Sequence, residues 1–211
     1  MMKMMAAVAL LSASPLYAQE LTTPMAPSPV KPAARNAFEL MLGLGYGQGF
    51  GSIGNLQPKV NDLLSAGGEV QLGLGWRINP RFMVGVFAQG SKNSTRDLDA
   101  GGDVYTAGAG IETNYHFLPG NDWDPWMGLA TGWRGLWVSQ NGTDSWQGIG
   151  TRLTIGVDYR ISSDFAMGPY LSGGANTYFH QDTPSSSGSV NGRDFNFWLS
   201  AGIQARFDVT G

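Results

Sequence analysis

The sequence predicts an all-β protein, a closed antiparallel barrel of eight strands that spans a membrane. Three observations lead to this prediction. Apolar residues alternate with polar or small residues in eight segments, which is typical of strands with two unlike faces. The polar face is rich in Gly, Ala, Ser and Thr rather than in Lys and Glu, which suits a crowded interior. Aromatic residues lie near the segment ends, as expected where strands cross two lipid–water interfaces.

The composition excludes several classes of protein. Of 211 residues, 31 are Gly, and only 14% are charged, compared with about a quarter in an ordinary globular domain. There is no Cys, which excludes a disulfide scaffold, a thiol enzyme and a Cys-ligated zinc site. The formal net charge of −3 provides no basic surface for nucleic acid. We therefore expect neither a nucleic-acid partner nor a cofactor.

The N-terminal residues predict a targeting segment and a linker. In residues 1–18, Lys3 precedes an apolar run from Met4 to Leu11, and small residues lead to Ala18, as in a secretory signal peptide. The run is shorter than the about 20 apolar residues of a membrane-spanning helix. Residues 19–36 contain four Pro and predict an extended periplasmic linker. The barrel is predicted to occupy residues 37–211.

Each alternating segment predicts one strand. In chain order, the segments cover residues 38–47, 69–78, 82–88, 105–117, 128–137, 149–161, 167–179 and 195–207. No stretch with a helical period competes with them. The seventh segment contains Pro169, which has no N–H to donate to a neighbouring strand and predicts a bulge.

The apolar face is predicted to point outward, toward lipid. An eight-stranded barrel is just wide enough inside for side chains, and about forty large apolar residues would not fit there. A sheet in lipid must also close, because an open edge leaves backbone groups unpaired. A soluble ligand-binding barrel is the alternative fold with the same alternation. The predicted aromatic girdle comprises Tyr46, Trp76, Phe82, Tyr105, Tyr115, Phe117, Trp137, Tyr159, Phe179, Phe195 and Phe207.

The predicted connections indicate how the barrel is oriented. Long connections alternate with shorter ones; two are short, at residues 79–80 and 162–164, and one, at residues 118–125, is of intermediate length. The long ones cover residues 49–67 and 91–103, about nine residues after the fifth segment, and residues 180–192. Short turns are periplasmic and long loops extracellular in outer-membrane barrels. Residues 140–146 are predicted to form a polar loop with an exposed Trp146.

Charged residues on the polar face predict a paired network inside the barrel. They are Glu39, Glu69, Arg77, Glu112, Arg134, Arg152, Asp158, Arg160 and Arg206. Strand direction places Glu69, Arg134 and Arg152 in the extracellular half and the other six in the periplasmic half. Because the first and last strands are neighbours in a closed barrel, we expect Arg206 to reach Glu39. Buried charges persist only when they are paired, so the network is either a structural plug or a gate whose pairs re-form.

The region from Thr113 to Trp133, TNYHFLPGNDWDPWMGLATGW, resembles a pattern of the small outer-membrane barrels of Gram-negative bacteria. These include the OmpA membrane domain, OmpX and OmpW. The ending SAGIQARFDVTG is similar to the last strand that such barrels present to their assembly machinery. Members of this group usually end at an aromatic residue, whereas four residues follow Phe207 here.

The resemblance implies residence in the outer membrane. We expect a monomer, because a closed barrel has no free strand edge to pair. Its implied partners are outer-membrane lipid, lipopolysaccharide, the barrel assembly machinery and an unknown extracellular ligand. The function expected first is a structural or surface-interaction role through the long loops. A narrow channel for small, apolar solutes, as in the OmpW-like members, is the alternative, and a lipid-modifying enzyme is a more remote one.

We expect no enzymatic activity. His180 lies near Asp182 and the serines at 185–187, so the residue types of a hydrolytic site are present. A nucleophile, a base and an orienting acid must be held in fixed geometry. The Pro-Ser-Gly composition of this run does not provide such a frame.

Overall fold

The computed structural model describes residues 37–54, 59–60, 64–95, 102–139, 142–190, 192 and 194–209. The predicted signal peptide and linker lie outside the described residues. These residues form nine strands: β1 (Ala37–Gly51), β2 (Gly67–Asn79), β3 (Phe82–Ser94), β4 (Asp103–His116), β5 (Trp123–Ser139), β6 (Thr143–Arg160), β7 (Phe165–Thr183), β8 (Ser186–Ser189) and β9 (Phe195–Val209). No helix among the described residues is long and apolar enough to cross a membrane.

Eight of these strands close into an antiparallel barrel, as the sequence predicts. Each of β1 to β6 pairs with the next strand, β9 pairs with both β7 and β1, and β6–β7 pairing completes the ring. The short β8 pairs only with the upper part of β7. Following the register once around the barrel from Met41 returns to β1 at Gly51. This stagger of ten residues tilts the strands against the barrel axis and gives an interior that side chains can fill.

The two faces of the barrel are inverted relative to a water-soluble protein. Along β1, Phe38 and Leu44 point outward and are more than half exposed, whereas Glu39 is fully buried. The same alternation runs along every barrel strand. A belt of exposed Leu, Ile, Val and aromatic side chains is stable only where lipid is the outer solvent.

Glycine allows close approach of neighbouring strands. Gly110 on β4 is paired with Gly132 on β5, and a Cβ on either would lie 2.6 Å from the partner's Cα. Such a separation is too short for any side chain. The high glycine content therefore reflects the need for small residues on the inner face.

The connections correct two expectations. At the end with short turns, which we take as periplasmic, they cover residues 80–81, 117–122 and 161–164. The extracellular connections cover 52–66, 95–102 and 140–142, with β8 in the fourth. The third was predicted to be about nine residues long, but β5 and β6 extend further and leave three. Trp146 therefore lies in β6 and is buried, so the prediction of an exposed loop Trp is wrong.

Pro169 does not produce the predicted bulge. It pairs with Ile203 of β9 without a register shift. On the other side of β7, the pairing with β6 stops at Gly156↔Tyr170 and resumes at Tyr159↔Met167 without a change of register. The register shift in this pair of strands lies instead at Gln147/Gly148, near the extracellular end. The pairing of β6 with β7 is thus interrupted at Pro169, which has no N–H to donate. Neither strand carries the extra residue that would make a bulge there.

Candidate functional site

Six charged side chains form a continuous series of ion pairs at the periplasmic end of the lumen. We call this series the periplasmic ion-pair chain; its order is Arg160, Asp208, Arg77, Glu39, Arg206 and Asp158. They come from β1, β2, β6 and β9, and each is at most 5% exposed. Three acids and three bases give no net charge, so each buried charge has an opposite neighbour.

The distances show how the chain crosses the lumen. Arg160 Nη1 lies 3.2 Å from Asp208 Oδ2, and Arg77 Nε lies 3.5 Å from Asp208 Oδ1. Arg77 also contacts Glu39. Arg206 Nη1 lies 2.6 Å from Glu39 Oε1, and Arg206 Nε lies 2.7 Å from Asp158 Oδ2. Arg206 and Asp208, both on the last strand, therefore link β9 to β1, β2 and β6.

Neutral groups complete the environment of the chain. Trp126 Nε1 donates a hydrogen bond of 2.9 Å to Asp158, and the Arg206 guanidinium lies 4.2 Å from the centre of the Trp126 ring. Arg77 and Arg160 each donate a 3.0 Å hydrogen bond to a carbonyl in a periplasmic turn, at Pro80 and Ser163 respectively. The chain is thus fixed to the turns that close this end of the barrel.

A second buried pair lies beside the chain. His116 Nδ1 is 2.8 Å from Asp124 Oδ2, and both side chains are fully buried. The backbone N–H of Leu118 donates to Asp124 Oδ1 at 3.1 Å. Asp124 therefore fixes the His116 ring and the start of the turn that follows β4.

In the middle of the lumen, Arg152 separates two small cavities. It donates a hydrogen bond to Gln89 and lies 3.7 Å from Glu112 Oε2. Its guanidinium also lies 4.9 Å from the Phe87 ring centre. Each cavity has a volume of about 20 Å³, enough for one water molecule. Arg152 lines both.

Glu69, in the extracellular half, is held by neutral donors. Trp198 Nε1 donates to it at 3.1 Å, Ser200 Oγ donates at 3.3 Å, and Gln71 also donates. Arg134 faces the same cavity and stacks 5.9 Å from the Trp198 ring centre. Trp198 therefore links the polar middle of the lumen to the apolar region above it.

An apolar cluster closes the extracellular end of the lumen. We call it the extracellular apolar cluster; its members are Ile53, Val60, Leu64, Val104, Leu136, Val138, Trp146, Tyr178, Val190 and Trp198. Three of them precede β2 in the first extracellular connection and pack into the mouth of the barrel. Gly49 makes room for this packing, because a Cβ there would lie 2.6 Å from Val60 Cγ1 and 2.8 Å from Trp198 Cζ3.

The nine charged residues selected from the sequence all point into the lumen. Glu39, Arg77, Asp158, Arg160 and Arg206 meet in the periplasmic chain. Glu112 was expected with them but lies higher, beside Arg152. Sequence reasoning missed Asp208, His116 and Asp124. Asp208 could have been found by continuing the alternation beyond Phe207, which points outward while Asp208 points inward.

The predicted girdle residues lie on the outer face in two groups. Tyr46, Tyr105, Trp137, Phe179 and Phe195 lie toward the extracellular end, and the other six toward the periplasmic end. Residues that the sequence reading did not include extend the periplasmic group. Ring centres lie 4.7 Å apart in Phe38–Trp76, 4.9 Å in Trp123–Tyr159 and 4.8 Å in Phe165–Phe207.

The histidine, aspartate and serine side chains of the last extracellular connection do not form a catalytic triad. His180 Nε2 lies 3.2 Å from Asp182 Oδ1 and 3.5 Å from Ser187 Oγ. In a catalytic triad the acid and the nucleophile contact different ring nitrogens, whereas here both contact Nε2. No group of three or more metal-ligating side chains occurs among the residues that the structure describes.

Comparison with known proteins places the fold. No protein-family model matches the sequence, and no curated protein matches it. Among solved structures, Neisserial surface protein A is 18% identical, with a TM-score of 0.53 over 79% of this chain and 95% of that one. OprG of Pseudomonas aeruginosa is 12% identical, with a TM-score of 0.49 over 84% and 99%. AlkL is also 12% identical, with a TM-score of 0.49 over 85% and 93%.

The chain has the fold of the small eight-stranded outer-membrane barrels. The lipid-compatible outer face agrees with the residence in a bacterial outer membrane that the sequence predicts.

Proposed function

We propose that this protein is a closed barrel that acts through its extracellular surface, as a structural or surface-interaction protein of the outer membrane. The observation that carries the proposal is the presence of two seals in one lumen. The periplasmic ion-pair chain crosses one end, and the extracellular apolar cluster fills the other. Between them, the described residues enclose cavities of only about 20 Å³ each.

The cost of separating buried ion pairs favours a closed lumen. Opening the periplasmic end would separate Arg206 from Glu39 and Asp158, and removing one partner of a buried pair costs about 3–5 kcal/mol. Arg206 and Asp208 also link the last strand to β1, β2 and β6, so opening there would remove contacts that hold the last strand in place. The extracellular connections are then the part of the molecule that is free to meet partners.

A narrow channel for small, apolar solutes is the second candidate. The extracellular apolar cluster favours it, because the side chains of the barrel mouth would suit an apolar solute. The periplasmic ion-pair chain opposes it, because such a solute would have to displace paired charges without replacing their interactions. We therefore rank the channel below the surface role.

Single-channel recording tests the proposal. The mature protein, refolded in planar bilayers, is expected to give no steady current. A variant combining Glu39→Ala and Arg206→Ala removes the centre of the ion-pair chain, and a variant combining Leu136→Ala and Trp146→Ala thins the apolar cluster. We expect each pair alone to remain silent, because the opposite seal persists, and the quadruple variant to conduct.

Two controls make the outcome decisive. Folding of each variant is checked by the shift in gel mobility between unheated and boiled samples. Steady current from the folded wild type would overturn the proposal. Uptake of an apolar solute into vesicles that contain the wild type, without ion current, would favour the channel.

A further inference from the structure

The cavity on the periplasmic side of Arg152, which we call the lower cavity, contains a poorly satisfied carboxylate. Glu112 lines this cavity and is 8% exposed, and its Oε1 has no hydrogen-bond partner among the described residues. Its Oε2 lies 3.7 Å from Arg152 Nη2, which is a loose ion pair. Glu69, by contrast, accepts hydrogen bonds from three side chains. Because a buried charge is costly unless it is paired and hydrogen-bonded, Glu112 Oε1 requires a partner inside the cavity.

Two amide side chains that line the lower cavity have their oxygen atoms left as acceptors. Asn114 Nδ2 donates a hydrogen bond of 3.4 Å to Met41 Sδ. Gln71 Nε2 donates to Tyr170 at 3.3 Å and also to Glu69. An amide group has one nitrogen that donates and one oxygen that accepts. Since the nitrogen atoms are engaged elsewhere, Asn114 Oδ1 and Gln71 Oε1 remain available to a ligand.

Two glycines make room for the oxygen atoms along the cavity wall. A Cβ on Gly73 would lie 2.4 Å from Glu112 Oε1, and a Cβ on Gly128 would lie 2.1 Å from Asn114 Oδ1. Both glycines line the lower cavity. Any larger residue at either position would therefore displace an acceptor from the wall.

The chemistry of this lining suits a small cation. Thr154 and Gln204 add further oxygen atoms to the wall, so the cavity has more acceptors than the two hydrogens of one water molecule can satisfy. Its volume is about 20 Å³, which is enough for one water-sized particle. Hard cations bind carboxylate, amide and water oxygens. A single carboxylate, with Arg152 beside its other oxygen, favours one positive charge over two.

We propose that the lower cavity binds one monovalent alkali cation. Glu112 Oε1 supplies the negative charge, and the oxygens of Asn114 and Gln71 supply neutral ligands. Arg152 closes the cavity toward the extracellular side, because it donates a hydrogen bond to Gln89, which lines the other cavity. The proposal goes beyond the surface role inferred above and does not depend on it, since the ion stabilises the interior of the closed barrel.

The dependence of stability on sodium and potassium tests the proposal. Reversible urea unfolding of the mature chain in phosphatidylcholine vesicles is measured at rising NaCl and, in a second series, at rising KCl. Because salt also screens charges, choline chloride keeps the ionic strength constant, and choline is too large for the cavity. An ion that binds only the folded state lowers the unfolding equilibrium constant about tenfold for each tenfold rise in concentration above its Kd. A flat response in both series, from about 0.01 to 1 M, would overturn the proposal.

Two matched variants locate the response. Glu112→Gln keeps the shape of the side chain and removes its charge, so we expect the dependence on the cation to disappear. Glu69→Gln removes the buried carboxylate on the other side of Arg152 and is expected to keep the full dependence. Folding of both variants is checked by gel mobility before unfolding is measured. A response that survives in Glu112→Gln, or that is lost equally in both variants, would contradict the proposed site.

Crystals of the wild-type protein grown with rubidium in place of sodium give a readout that needs no variant. We expect an anomalous difference peak between Glu112 and Asn114. No peak at this position would show that the cavity holds water and would overturn the proposal. Stability that responds to pH but to neither alkali cation would show that Glu112 binds a proton instead, and it would equally overturn the proposal.

Discussion

Replacing Arg206 by Met tests whether the periplasmic ion-pair chain stabilises the closed barrel. Arg206 is 2% exposed and contacts two carboxylates, at 2.6 Å in Glu39 and 2.7 Å in Asp158. Met has a similar length and is apolar, so the substitution removes the charge with little change in volume. Glu39 would keep Arg77, and Asp158 would keep the Trp126 N–H, but Asp158 would lose its only ion-pair partner among the described residues.

The expected loss follows from the cost of an unpaired buried charge. Removing one partner of a buried ion pair costs about 3–5 kcal/mol. We expect the free energy of unfolding of Arg206→Met to fall by about that amount. A double variant that adds Asp158→Asn should recover most of the loss, because it leaves two arginines and two carboxylates in the chain, with every remaining charge paired.

Reversible urea unfolding in lipid vesicles, followed by Trp fluorescence, measures these differences. Lys92→Met is the matched control, since it removes a basic residue whose ion pair is exposed and screened by water. The reasoning would be refuted if Arg206→Met lost less than about 1 kcal/mol, as a surface pair does. It would equally be refuted if the double variant were less stable than Arg206→Met.

Three further outcomes are expected. Asp208→Asn should slow barrel closure and reduce the fraction of protein that migrates as the folded form on unheated gels, because the last strand loses its ion pairs to two buried arginines; an unchanged folded fraction and rate would contradict this. Trp146→Ala should lower the free energy of unfolding by about 3–5 kcal/mol, because Trp146 is 3% exposed, whereas an exposed loop Trp would give almost no change in urea unfolding. On the extracellular hairpin, the Ser187 hydroxyl holds the pKa of Asp182 below its ordinary value, and nearby His180 acts in the same direction. Stability from this contact is therefore present above the ordinary carboxyl pKa and lost as the pH falls through the lowered one; NMR titration should show the Asp182 pKa rising in Ser187→Ala, and an unchanged value would argue against the contact.

Much of the barrel follows from local alternation in the sequence. Because successive side chains of a strand point to opposite faces, residues such as Phe38 and Glu39 reveal both the strand and its two environments. The number of large apolar residues then decides which environment is lipid, since they cannot fit inside eight strands. Closure of the barrel makes the first and last strands neighbours, and it therefore also brings Arg206 close to Glu39.

The extent of β5 and β6 could not be obtained this way. Near the rim, inner-face side chains such as Leu136 and Trp146 are apolar, so polar–apolar alternation fades while the strands continue. The sequence consequently suggested a loop where the structure has paired strands and an apolar cluster. Burial there depends on residues from the first extracellular connection, which are distant in sequence.

The sequence by itself determined the fold class, the outward apolar face and the inward position of the nine charged residues, because these depend on a local period of two. Only the tertiary structure decided which charges pair. Pairing depends on the ten-residue stagger around the barrel, which brings Asp208 to Arg77 and Arg160 and leaves Glu112 with Arg152. That stagger is a property of all eight strand pairings together, so no single segment contains it.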